Sequence, residues 1–67
     1  MKTIQFTSLH GTQLSGRVSE TLKINRERVD IVRMLGKLYA VLNGYSILEM
    51  PDNTDIVEFN SEIIKEL

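Results

Sequence analysis

At 67 residues the chain has room for one domain, residues 1–67, and a small core; with no cysteine and one histidine it excludes disulfides, thiolate metal sites and imidazole clusters. The formal net charge is −1, yet residues 1–42 hold seven Lys or Arg against three acids while residues 43–67 hold six acids against Lys65. No uninterrupted apolar stretch approaches the ~20 residues that cross a bilayer, and no positively charged start precedes an apolar run of signal-peptide length, so the expectation is a soluble cytoplasmic protein with no membrane contact.

The first strand is expected at Thr3 to Ser8, with Ile4 and Phe6 on one face and Thr3, Gln5 and Thr7 on the other. Leu9-His10-Gly11 fits a three-residue hairpin loop with Gly11 in the left-handed position, which sets Phe6 opposite Leu14 and Ile4 opposite Gly16. The second strand runs from about Thr12 to Leu22, with Leu14, Val18 and Leu22 inward. Gly16 on that inner face marks a sharp bend or a close backbone approach. After a polar turn at Lys23 to Glu27, Arg28 to Arg33 is short and β-branched and forms the third strand. Met34 to Lys37 turns the chain back.

The Asn43-Gly44 pair between two apolar runs is the strongest local signal in the chain, a two-residue type I′ hairpin turn. Its register sets Leu42 opposite Tyr45, Val41 opposite Ser46, Ala40 opposite Ile47, Tyr39 opposite Leu48 and Leu38 opposite Glu49. Both faces of that ribbon are largely apolar, so one packs on the core and the other needs a second cover. Pro51 to Asp55 breaks the pattern; Asp55 to Phe59 then reads as a last short strand and Ser61 to Glu66 as a helical turn. A helical stripe of Ile56, Phe59, Ile63 and Leu67 capped by Thr54 is the other reading of that end.

The fold class expected is mainly β, a small barrel or curled antiparallel meander with a short C-terminal helix. One rival is an α+β chain with a helix at about 26–42, since Ile31, Leu35, Leu38 and Leu42 recur at helical spacing behind Asn25 as a cap. Gly36 in mid-helix and three β-branched residues between Val29 and Val32 weigh against it. The order of five short strands, with Leu14-Ser15-Gly16-Arg17-Val18 in the second and Val29-Asp30-Ile31 in the third, resembles the small SH3-like barrels, among them the Sm-like and KOW-type modules. The resemblance implies a barrel; it carries over no functional residue.

The chemistry-bearing residues are few. His10 falls in a hairpin loop with no nucleophile motif about it, and Asp52, Asp55 and Glu58 lack the spacing of a calcium loop. The expectation is therefore a non-enzyme with no catalytic residue, no metal and no cofactor. Tyr39, Val41, Leu48 and Met50 would share the second ribbon face and form a contact with a protein partner or a second copy in a homo-oligomer, unless residues 55–67 fold back over it. The alternative is nucleic-acid binding through Arg17, Arg26, Arg28, Arg33 and Lys37, with Tyr39 and Tyr45 as stacking rings. A third class is a small accessory or inhibitor protein of a mobile element that occupies a larger enzyme. The charge asymmetry itself reads as an acidic end docking on a basic body.

Overall fold

Three two-residue turns set the architecture. Asn25-Arg26, Leu35-Gly36 and Asn43-Gly44 hold both central residues at positive φ, at 52° and 68°, 54° and 73°, and 51° and 84°, as type I′ hairpin turns require. The structure is a computed structural model that describes residues 2–67. Its elements are β1 (Thr3–Thr7), β2 (Gln13–Ile24), β3 (Glu27–Met34), β4 (Lys37–Leu42), β5 (Tyr45–Pro51) and α1 (Ile56–Glu66). The strands pair antiparallel in chain order, and one parallel contact between Thr7 and Tyr45 closes the ring, with the Thr7 N–H donating to Gly44 O at 2.9 Å. The fold is mainly β, a small closed barrel with a short C-terminal helix.

The first hairpin has the register its loop demands: Phe6 faces Leu14, Ile4 faces Gly16, and Gly11 sits at φ 85°. Gly16 is there for space as well as for bending, because a Cβ at that position would lie 2.6 Å from Val32 Cγ1 and 2.8 Å from Met34 Sδ. Residues 26–42 are two strands and no helix. Asn25 caps nothing and instead occupies the β2–β3 turn, so that both strands run closer to the reversal than a polar turn at 23–27 would allow. β-branched Val29, Ile31 and Val32 win over the helical spacing of the leucines because β3 lies between two partners, with apolar cover on both faces.

Two β-bulges correct the expected facing of the strands. In β2, Val18 pairs with Val32 but Glu20 pairs with Ile31, so Ser19 is an extra residue. Leu14 and Val18 therefore point to one side of the sheet and Leu22 to the other. In β5, Ser46 pairs with Val41 but Leu48 pairs with Ala40, so Ile47 is the extra residue and each pair beyond it shifts by one: Tyr39 faces Glu49 and Leu38 faces Met50. A serine hydroxyl clasps each bulge, Ser19 Oγ donating to Ile31 O and Ser46 Oγ to Leu48 O, both at 3.1 Å.

The switches divide the core into two layers. Inside the ring lie Phe6, Val18, Val32, Tyr39 and Val41, flanked by Ile4, Leu14 and Met34, with the Phe6 and Tyr39 rings tilted 58° at 5.3 Å. On the outer face of β3 and β4, Val29, Ile31, Leu38 and Ala40 meet Phe59 and Ile63 of α1, and Leu22, Ile24, Leu48 and Met50 fill the margins. No strand forms at 55–59. Asp55 rather than Thr54 caps the helix, its Oδ1 accepting from the Val57 N–H at 2.8 Å, because a carboxylate satisfies a free N–H and complements the positive end of the helix.

Candidate interaction surfaces

The bulge at Ser19 turns the far half of the β2–β3 hairpin into a wing. Leu22 and Ile24 face α1, so the cross-strand pairs Thr21–Asp30 and Lys23–Arg28 lie on the opposite face. There Arg28 and Asp30 border a groove of about 250 Å³ whose other walls are Lys2 just before β1, Ile4 and Gln5 of β1, Val41 of β4, and Asn43 and Gly44 of the last turn. Asp30 Oδ1 accepts from Thr21 Oγ1 at 2.7 Å and lies 3.6 Å from Arg28 Nε. The lining combines apolar Ile4 and Val41, the amides of Gln5 and Asn43, the cations Lys2 and Arg28 and the carboxylate of Asp30.

The second surface is on α1. At 100° per residue, Phe59 and Ile63 mark the buried side, and the apolar arc continues past them through Ile56, Leu67, Ile64 and Val57. Those four are exposed, Val57 at 70% and Ile64 at 54%. Asn60 lies along the same arc, and its Oδ1 is buried with no hydrogen-bond partner. The sheet thus covers less than half of the helix's apolar arc.

The expected ribbon face does not exist as one surface. Tyr39 is 3% exposed and Val41 is also buried, both inside the ring, whereas the Ile47 bulge carries half-buried Leu48 and Met50 to the helix side. The cations are scattered as well. Arg26 and Arg28 sit at the wing, Arg17 is exposed opposite Thr3, and Arg33 and Lys37 lie toward the other end, where Arg33 donates to the Asp52 carbonyl and Lys37 binds Glu49. Of the two tyrosines only Tyr45 is exposed.

The acidic end docks on the basic body chiefly through apolar side chains, with one ion pair between the two. Among the described residues, the Lys37–Glu49 ion pair at 2.9 Å is the one pair joining residues 2–42 to residues 43–67; Arg28–Asp30 and Lys65–Glu62 each stay within one half. The Glu49 hydrogen bond, and then its negative charge, hold the Lys37 ammonium above its ordinary pKa. Glu58 and Glu66 of α1 are exposed.

Sequence reading missed Lys2, Gln5 and Asn43 as groove residues, since the face switch at Ser19 is what turns Arg28 and Asp30 toward them. His10 stands in the exposed β1–β2 loop, where the backbone N–H groups of His10 and Thr12 donate to Ser8 Oγ. Among the described residues no cluster of three His, Cys, Asp or Glu is placed to hold a metal ion, and no helix is long and apolar enough to cross a membrane. Compared with protein-family models, curated proteins and solved structures, the chain matches none.

Proposed function

We propose that the protein is a non-catalytic interaction module that docks through the open flank of α1, and that a second copy of the chain is its partner there. The observation that carries this reading is the uncovered arc of Ile56, Val57, Ile64 and Leu67. Val57 and Ile64 are seven residues apart and so lie on one stripe, and a two-fold axis across an antiparallel helix pair sets each Val57 beside the partner's Ile64, a self-complementary contact. An 11-residue helix is only about 16 Å long, so the contact belongs to the small, weak class below about 1,200 Å². The order of the strands and the bent β2 support the finer placement among SH3-like barrels, which on fold alone says nothing of the ligand.

Sedimentation equilibrium over a wide concentration range tests the proposal. The expected result is a concentration-dependent dimer that Val57→Asp and Ile64→Asp each abolish without loss of the native circular dichroism spectrum. A monomer at millimolar concentration overturns it. A second reading, oligonucleotide binding, is favoured by the placement of Lys23, Arg26 and Arg28 together at the end of the β2–β3 hairpin. A titration with single-stranded and duplex DNA at two salt concentrations tests it, since phosphate binding falls steeply with salt.

A further inference from the structure

The edge of β1 that faces the groove is an unfilled strand position. Lys2 O accepts from the Val18 N–H at 2.8 Å and the Ser8 N–H donates to Thr12 O at 2.8 Å, so the even-numbered residues of this segment bond toward β2. Backbone groups alternate in direction along a strand, and Thr7 accordingly turns its N–H the other way, to Gly44 O. Thr3 and Gln5 share the parity of Thr7. Their N–H and C=O groups point to the same side, yet the pairing of β1 with β5 ends at Thr7–Tyr45, and no strand of the described residues lies opposite them. Gln5 lines the groove and Thr3 lies two residues along the same edge, so two donors and two acceptors at strand spacing run along that side.

The opposite wall carries Arg28 beside Asp30, and with Lys2 the groove has two cations to one carboxylate. Arg28 Nε lies 3.6 Å from Asp30 Oδ1, an oxygen that already accepts from Thr21 Oγ1, and the Arg28 side chain is 61% exposed and so open to a ligand. Lys23 pairs across from Arg28 on the same face, and Lys2 stands at the near end of the groove. We propose that this groove captures an extended, acidic peptide segment of a partner protein, which adds as a strand to Thr3 and Gln5 and turns carboxylates toward Arg28 and Lys2. Strand addition of this kind draws affinity from main-chain hydrogen bonds and selectivity from the side-chain pockets. An alternating edge favours peptide over nucleic acid, because the C=O groups of Thr3 and Gln5 need donors that a phosphate backbone does not supply, while the N–H groups need acceptors. The surface is separate from the α1 flank, so either proposal can fail without the other.

The probe is an acetylated and amidated hexapeptide of alternating valine and glutamate, titrated into the full chain carrying ¹⁵N, with the valine–lysine hexapeptide and oligo-dT as controls. The expected result is saturable shifts and slowed hydrogen exchange at the Thr3 and Gln5 amides with the glutamate peptide and neither control. Arg28→Glu should weaken binding by about tenfold, the loss of one exposed attraction plus the added repulsion. Gln5→Pro removes an N–H on the groove side and none of the bonds to β2, so it should also abolish the shift at Thr3 while the remaining spectrum stays folded. Unmoved Thr3 and Gln5 amides at millimolar glutamate peptide, equal binding of the lysine peptide, or oligo-dT shifting the same amides more strongly overturns the proposal.

Discussion

The layer inside the ring and the layer under α1 are made of alternate residues of the same strands, yet they are held in different ways. Tyr39 and Val41 point into the space inside the ring, Val41 at the mouth the groove opens, where most neighbours are also fixed by ladder hydrogen bonds. Leu38 and Ala40 point out to a face closed by one helix that seats two buried side chains, Phe59 and Ile63. The difference teaches that enclosure by a ring is shared among many positions, whereas enclosure by a short helix is concentrated in few. It also explains why the exposed apolar surface of the molecule gathers on α1.

Phe59→Ala should break the outer layer outright. Truncating a buried phenylalanine costs about 3–5 kcal/mol, which is comparable to the whole stability of ~3–5 kcal/mol typical of a single core this small. Val57→Ala, two residues away on the open flank, should change stability by less than about 0.5 kcal/mol, and urea unfolding of the two variants side by side measures the contrast. Gly16→Ala attacks the inner layer. The added methyl meets Val32 and Met34, so a loss of about 1–3 kcal/mol is expected, with the Phe6 and Tyr39 ring signals shifted in NMR spectra.

Leu35→Asn sharpens the comparison, since the β3–β4 turn feeds both layers equally. Leu35 holds φ at 54° with its side chain in solvent, a conformation asparagine tolerates better, and a gain of about 1 kcal/mol is expected in the denaturation midpoint with an unchanged slope. The smallest effect belongs to Lys37. Its pKa is raised in the folded chain by Glu49, so the stability it contributes is fully present below the pKa of the unfolded lysine and is lost as pH rises through the higher folded value. Thermal unfolding across the alkaline range should show that loss, and Lys37→Met should remove it.

Much of the fold was legible because its signals are local. Asn43-Gly44 and the Leu9-His10-Gly11 loop each specify a turn type and hence a register, and both registers hold next to the turn. What failed lay beyond the bulges. Ser19 and Ile47 carry no distinctive backbone requirement, so strict alternation runs through them in the sequence and sets Leu22 with Val18 and Leu48 with Tyr39, when each pair is in fact divided. The candidate surfaces inherited that error. Tyr39 and Val41 look like a contact face only in the unbroken register, and the wing that builds the groove exists only after the slip. Arg26 at φ 68° was likewise invisible, since nothing in an arginine announces a left-handed position.

Three of the four links between strands are reversals of two residues, and the fourth, residues 8–12, is five. Nearly all pairing therefore joins stretches adjacent along the polymer, and each hairpin can zip within about 1–10 μs of its bend forming. Only the seam from Thr7 to Gly44 and Tyr45 must wait for distant ends of the sheet to meet. Assembly thus runs as a fast relay ending in one slow clasp, and the last join to form is the first expected to part.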